Sequence, residues 1–491
     1  MILLFFDTLA WDWISVTSVV IAYVFVIYLV IKTILQNRNP ITTLSWIMVL
    51  ILIPFLGLIL YFLFGQKITK KWILKRMHNK ELIQMTQISN KQLKTLQDLD
   101  QIDDEYLSEY RKLISILLKN NSSFLSSNNQ IQLFHFGASL YQSIYKDLEL
   151  ATEFIHMEYY MFEEGKVANR LSDILIKKKK QGLNVSLILD GIGSRGLSSA
   201  YVKKLQDNKV EVLLFRPVRF PNFTNKINNR NHRKIIVIDG KIGYTGGINM
   251  ADKYLVNYGD TGFWRDTHLR VIGDSIKMLE AVFLVDRYNL TKHIYKNLSP
   301  FFPQVNYLPA TTVQIATNSP ESGTSNILNA FFIAITTAKS SIRLISPYFI
   351  PDESLLMALK TAAAGGVNVE IMLPGVKDSA FIQYSARSYV QQLLKNDIKV
   401  YFYLKGFIHA KVILIDDTFS MLGSANFDYR SFYQNFEINT LIYDREINKK
   451  LVAQFQIDKN DSKQIHLSRW RKRPIRDKIF ESIARLLAPL M

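Results

Sequence analysis

The feature that most constrains this chain is an internal repeat. The stretch "NHRKIIVIDGKIGYTGGIN" carries His232, Lys234, Asp239, Gly246, Gly247 and Asn249. The pattern returns at the same internal spacings in "IHAKVILIDDTFSMLGSAN", with His409, Lys411, Asp416, Gly423, Ser424 and Asn426. One His in a β-rich stretch is an ordinary core residue, whereas two matched copies point to shared chemistry. Residues i and i+2 of a strand share a face, so His and Lys point the same way in each copy. The runs that follow, Ile-Ile-Val-Ile and Val-Ile-Leu-Ile, are apolar without alternation, which marks strands buried on both faces. Asp-Gly and Asp-Asp then end the strands. Asp239 and Asp416 therefore sit at turns, where they either shape the backbone, pair with a base or join the chemistry.

The surroundings repeat as well. "FIHMEYYMF" (154–162) leads through a helix-like stretch to "QGLNVSLILD", and "SIRLISPYFI" leads through "DESLLMALKTAAAGG" to "VNVEIMLP". Strand, helix, strand implies parallel layering. The expected fold is α/β, with two pseudo-twofold-related halves (128–305 and 306–465) and mostly parallel sheets. The halves divide where Pro300, Pro303 and Pro309 cluster.

The two ends differ from this body. No charge occurs from Trp13 to Ile31 or from Ile41 to Gln66, and about 20 apolar residues suffice to cross a bilayer. Residues 1–66 are read as a transmembrane helical hairpin, its helices at about 13–31 and 42–64. Lys67, Lys70, Lys71, Lys75, Arg76 and Lys80 follow at once, against only Lys32 and Arg38 in the connection. That bias puts the catalytic part on the cytoplasmic side of the cell membrane, with 67–127 as a cytosolic connector. Residues 466–491 hold Arg469, Arg471, Lys472, Arg473 and Arg476 beside Trp470, then apolar residues at helical spacing. This tail is read as a basic amphipathic helix, either a membrane-surface anchor with an interfacial Trp or a helix packed on the core. The formal charge of +18 suits a polyanionic partner, nucleic acid or anionic membrane, although a lysine-rich composition alone also produces it. The absence of cysteine excludes disulfides, thiol nucleophiles and cysteine metal sites.

Brought together about a pseudo-twofold axis, the repeats form one pocket with His232, His409, Lys234, Lys411, Asn249 and Asn426. Lys and Asn suit the non-bridging oxygens of a phosphodiester. One His attacks phosphorus; the other protonates the leaving alcohol and deprotonates the incoming one. No metal or other cofactor is needed. A nucleophilic His requires its second ring nitrogen oriented, usually by a carboxylate. Asp266 in "FWRDTHLRV" and Glu437 in "YQNFEINT" stand downstream of the two motifs. Asp266 is expected to hold His232, and Glu437 to hold His409, unless they are ion-paired surface acids.

The segments "NPITTLSWIMVLILIPFLGLILYFLFG", "HMEYYMF", "NHRKIIVIDG", "FWRDTHLRV", "SPYFIPDESLLMALKTAAAGGVNV" and "GSANFDYRSFYQNFEIN" resemble bacterial cardiolipin synthases, within the phospholipase D superfamily. The likeness spans nearly the whole chain. It implies transfer between two phosphatidylglycerol molecules, giving cardiolipin and glycerol through a phosphatidyl-His intermediate without metal. It also implies His232 as nucleophile and His409 as general acid/base, an order that sequence symmetry leaves open. The implied partners are phosphatidylglycerol and anionic membrane lipid; homo-oligomerisation is left open. Hydrolysis, or transfer to another alcohol such as serine, is the alternative. A nuclease is opposed by the two apolar N-terminal runs, and an inactive scaffold by the intact motifs.

Overall fold

The computed structural model describes residues 20–21, 23–35, 40–61, 80–97, 105–217, 228–255, 263–376 and 379–487. The chain divides into two compact units: Met1–Thr69 with Val218–Asn228, and Lys70–Pro217 with Asn229–Met491.

In the smaller unit, residues 23–35 are helical, followed by helices Pro40–Leu52 and Pro54–Leu60. The continuous helix expected over 42–64 is interrupted at Ile53, whose φ is −135°. Proline disfavours the helical conformation in the residue before it, and Pro54 then opens the next helix as its first residue. Val26, Leu29, Trp46, Leu50 and Tyr61 pack together inside the unit, while Val24, Ile27, Leu35, Leu52 and Phe55 remain exposed. Among the described residues no helix is long and apolar enough to cross a membrane. Residues 13–19, 22 and 62–64 of the expected spans lie outside them.

The larger unit is built on one sheet. Its first half supplies β1 (Ser126–Phe134), β2 (Phe154–Tyr159), β3 (Asn184–Asp190), β4 (Glu211–Phe215), β5 (Lys234–Ile238), β6 (Ile242–Gly246), β7 (Phe263–Arg265) and β8 (His268–Ile272). The second supplies β9 (Thr311–Asn318), β10 (Ser341–Ile345), β11 (Phe349–Ile350), β12 (Asn368–Pro374), β13 (Lys399–Tyr403), β14 (Gly406–Ile408), β15 (Val412–Ile415), β16 (Phe419–Gly423), β17 (Phe427–Asp428), β18 (Glu437–Tyr443) and β19 (Ser462–Ile465). The main sheet runs β19-β13-β12-β10-β15-β16-β18-β9-β1-β8-β6-β5-β2-β3-β4. Outward from the β1/β9 junction both halves show the same order, which is the expected pseudo-twofold.

The expected parallel character is corrected. Within the main sheet only β2-β3-β4 and β10-β12-β13 pair parallel, and the remaining neighbours pair antiparallel. Helices connect those outer strands in succession. The motif strands β5 and β15 instead turn straight back into β6 and β16, and a tight connection forces antiparallel pairing.

Each motif strand is buried on both faces. Ile236 and Ile238 enter one core, and Ile235 and Val237 another. Likewise Ile413 and Ile415 separate from Val412 and Leu414. This is the period-2 alternation of a strand between two helical layers.

Two segments flanking the repeated halves also pack on this core. Within the stretch read as a connector, helix Arg111–Asn121 buries Leu113, Ile114, Leu117 and Leu118 in the second-half core. The Asn121 amide donates to Thr317 Oγ1 at 2.7 Å. Trp470, read either at a membrane interface or in a helix packed on the core, is buried, its ring 5.8 Å from that of Phe402.

Asp239 and Asp416 close the far ends of β5 and β15. Both adopt left-handed backbone, with φ of 53° and 49°, a region Asp enters more readily than branched residues. The Asp239 carboxylate accepts the backbone N–H groups of Thr152, Glu153 and Phe154 at 2.8–2.9 Å. The Asp416 carboxylate accepts those of Lys339, Ser340 and Ser341 at 2.7–2.9 Å. Each acid thus anchors the start of the neighbouring strand, β2 or β10. Five residues of strand, roughly 16 Å, separate Asp239 from Lys234, which places the acid at the opposite end of the strand from the motif His and Lys.

Asp239→Ala and Asp416→Ala are expected to cost about 2 kcal/mol each, by stripping charge-assisted bonds from backbone donors. Thermal unfolding should show the loss, while turnover per folded molecule stays near the parent value. A variant of unchanged melting temperature and abolished turnover would return these residues to the chemistry.

Candidate active site

The motif histidines meet at a cavity of about 270 Å³, lined by His232 and Asn249 from one half and by His409 and Asn426 from the other. Tyr160, Tyr254, Trp264, Tyr348 and Tyr429 form much of its wall. Of the aromatics near the motifs in sequence, Trp264, Tyr348 and Tyr429 face this space, whereas Phe349, Phe407 and Phe427 are core residues.

Backbone bonds across the pseudo-twofold bring the histidines there. The chain ahead of each His leaves its own half. Asn231 bridges Phe436, and the His232 N–H donates to the Phe436 carbonyl at 2.9 Å. Symmetrically, β14 pairs in parallel with β7, and the His409 N–H donates to the Arg265 carbonyl at 2.6 Å. Each His is therefore tied to the residue that immediately precedes the other half's acid.

The carboxylate pairing is crossed, which corrects the expected assignment. His232 Nδ1 lies 3.0 Å from both Glu437 oxygens, and His409 Nδ1 lies 2.7 Å from Asp266 Oδ2. The crossing follows from those backbone bonds, which set each ring over the acid one residue further along the opposite half. All four side chains are buried. Burial pushes Glu437 up, but the His232 ring, Lys234 and the Ser424 hydroxyl outweigh it and hold the carboxyl at about 2. Burial likewise raises Asp266, and Lys411 with His409 brings it below its ordinary range. Burial lowers His232 against the pull of Glu437, and burial with Lys411 takes His409 down to about 3. The directions agree on ionised carboxylates beside neutral imidazoles. Nδ1–H then donates to the acid, and Nε2 keeps its lone pair.

The lysines lie behind the histidines rather than on the cavity wall. Lys234 Nζ donates to the His232 carbonyl at 2.7 Å, and Lys411 Nζ to the His409 carbonyl at 2.5 Å. Burial, reinforced by Lys411 and opposed by Glu437, brings Lys234 down to about 7. The asparagines differ from each other. Asn249 is engaged, accepting the Met161 N–H at 3.3 Å and donating to Tyr254 Oη at 2.6 Å. Asn426 reaches the cavity with an Oδ1 that accepts no hydrogen bond among the described residues.

The sequence reading missed several contributors. Arg230 faces the cavity while its guanidinium bonds Asp190 at 2.8–3.1 Å. Lys253, Arg430 and Asn435 also line it, and Asn435 Nδ2 donates to Glu437 at 3.1 Å. Asp428 caps helix Tyr429–Tyr433 beside the cavity, and burial raises it to about 6. The basic residues just before and after the motifs were the available signal. Among the described residues no group of three or more His, Asp or Glu side chains is arranged to hold a metal ion.

The comparisons agree with this geometry. A family described as "Cardiolipin synthase, PLD-like domain" matches residues 144–281 and 331–459, and one described as "Phospholipase_D-nuclease N-terminal" matches 21–66. Cardiolipin synthase 2 of Bacillus anthracis is 37% identical over 460 residues, covering 93% of this chain and 88% of the relative. Cardiolipin synthase of Alkalihalophilus pseudofirmus is 36% identical over 487 residues, covering 98% and 95%. The crystal structure of phosphatidylserine synthase from Haemophilus influenzae Rd KW20 shares the fold at 15% identity. Its TM-score is 0.59, over 79% of this chain and all of that one. A duplicated His-Lys frame closed into one cavity, together with relatives matched almost end to end, places this chain in the cardiolipin synthase family of phospholipase D-like enzymes.

Proposed function

We propose that the cavity transfers a phosphatidyl group between two phosphatidylglycerol molecules, yielding cardiolipin and glycerol. One observation carries this reading: two histidines, one from each repeat, face a single cavity, each fixed through Nδ1 by a buried carboxylate of the other repeat. Following the family resemblance, His232 Nε2 attacks the phosphorus of the first lipid. The phosphorus–glycerol oxygen bond breaks, and His409 passes a proton to that oxygen, releasing glycerol. His409, now neutral, removes the proton from a glycerol hydroxyl of the second lipid. That oxygen attacks phosphorus, and the phosphorus–nitrogen bond breaks to free His232. Glu437 and Asp266 hold the tautomers and balance each imidazolium as it forms.

Burial and Lys411 disfavour charge on His409, yet the cycle needs it protonated to release glycerol. The phosphodiester supplies the remedy, because an anion beside the ring favours its charged form. Lys234, Lys411, Arg230 and Asn426 support the bound phosphate, the lysines from behind the rings. The aromatic wall shields the phosphatidyl-His from water, so that a second lipid rather than hydroxide completes the cycle. The exposed apolar side chains of the smaller unit support a membrane location. The basic run after residue 66 supports a cytoplasmic catalytic unit on a two-helix hairpin.

Glu437→Gln should lower kcat by about 10²-fold or more, since a wrong tautomer then faces the substrate. Nitrogen NMR should show the His232 tautomer altered and that of His409 retained. The reverse pattern would reject the crossed assignment. Glu437 is depressed in the folded protein, so its stabilising contribution is full above its ordinary range near 4.3. It is lost as pH falls through the folded value of about 2. Glu437→Gln should therefore flatten that acid limb of the stability profile.

Membrane-reconstituted protein supplied with labelled phosphatidylglycerol alone is expected to produce cardiolipin and glycerol in equal amounts. Phosphatidic acid as the sole lipid product would replace transfer with hydrolysis. Trp264→Ala should shift product from cardiolipin toward phosphatidic acid, by admitting water to the intermediate.

A further inference from the structure

Helix Ile475–Leu487 docks in an unusual sense. An ordinary surface helix buries its apolar stripe and shows its charges to water. Here the side against the core carries Glu481 and Ala484, both buried. Glu481 accepts from Arg473 at 2.7–2.9 Å and pairs with Arg387 at 3.4 Å. Ser385 Oγ donates to the Ala484 carbonyl at 3.1 Å. The opposite side presents Ile475, Ile479, Ile483 and Leu486, which are 70%, 52%, 48% and 78% exposed. These positions are spaced by four, four and three residues, so they form one stripe on the helix. Arg476 is exposed beside the stripe, and Arg469, Arg471 and Lys472 are exposed just before the helix.

We propose that this outward face is a docking surface for an anionic lipid bilayer. The stripe enters the boundary between headgroups and acyl chains, and the flanking cations meet lipid phosphates. The exposed cations argue for this occupant over a second copy of the chain. A self-complementary contact through the stripe would bring two sets of like charges together, whereas a bilayer of anionic headgroups neutralises them.

The docking contacts lead toward the active site. Ser385 and Arg387 belong to helix Ala380–Leu394, which also carries Ile382 of the cavity wall. Tyr384 of that helix stacks on Phe480 with ring centroids 5.6 Å apart. One helix thus separates the lipid-facing stripe from the cavity, and Glu481, held between two arginines, fixes their spacing. The surface is defined by helix geometry alone, and it stands whichever phosphodiester the cavity takes.

The chain has no cysteine, so a single introduced thiol gives a unique label. Full-length Ile479→Cys and Ile483→Cys, each carrying an environment-sensitive fluorophore, would be reconstituted into nanodiscs of phosphatidylglycerol and phosphatidylcholine. The expected result is a blue-shifted emission, quenched by a lipid-attached quencher and weaker in pure phosphatidylcholine. The same label at Lys177→Cys, on an exposed first-half position, should report water. Water-like emission at 479 and 483 in the anionic discs would overturn the proposal. So would shielding that follows protein concentration in detergent, which would give the face to a second copy. Independently, the double variant Ile479→Glu, Ile483→Glu should lose turnover severalfold on bilayer phosphatidylglycerol and keep it on a short-chain monomeric analogue. Equal loss on both substrates would assign the stripe to folding and reject the bilayer.

Discussion

The structure depends on two buried imidazole–carboxylate pairs that cross between the halves. A neutral His in a dry site needs a fixed acceptor for Nδ1–H, or its Nε2 lone pair has no defined direction. Here the acceptors are Glu437 for His232 and Asp266 for His409. The antiparallel β1–β9 contact joins the halves, and the bonds from His232 to Phe436 and from His409 to Arg265 set the register. Neither repeat contains a complete His–acid pair. One site thus needs both halves, because a half alone would hold an imidazole without its carboxylate partner.

The same burial governs charge in the site. Lys234, Lys411 and Arg230 are buried near two imidazoles, while Asp190, Asp266 and Glu437 are committed to named partners. Charge in such a site is costly, as Lys234 at about 7 records. A phosphodiester anion is the counterion this arrangement wants. Its arrival would favour charge on the ammonium and imidazole groups together, and so prepare the proton that a leaving alcohol needs.

Legibility in the sequence followed length scale. The apolar runs after Lys234 and Lys411 sufficed to place strands buried on both faces, and the matched spacings sufficed to join two half-sites. The parallel sheet was over-read because strand–helix–strand segments are conspicuous, whereas the turns at Asp239 and Asp416, which fold β5 onto β6 and β15 onto β16 as antiparallel pairs, were not weighed against them. The crossing of Asp266 and Glu437 could not be read, since both assignments satisfy the same spacings and only the path ahead of each His decides between them. The turn positions of Asp239 and Asp416 were legible. Their three-donor grip on the neighbouring strand was not, because Thr152–Phe154 and Lys339–Ser341 are far away in the chain.

The two half-sites also show how a duplicated frame diverges without losing its geometry. Gly247 and Ser424 occupy equivalent positions. A side-chain carbon at Gly247 would lie 2.1 Å from Asp266 Oδ1, so that half packs its acid directly against backbone. In the other half, Ser424 Oγ donates to Glu437 Oε2. Glu437 also takes the Asn435 amide, so its carboxylate is held by three partners, counting His232. Glycine pairs with the shorter acid, and serine with the longer. Each combination delivers a carboxylate to an Nδ1 at 2.7–3.0 Å. Serine opposite Asp266 would clash, and glycine opposite Glu437 would remove one of its donors. The residue two before each Asn is therefore coupled to the acid that orients the other half's histidine, and the two must change together.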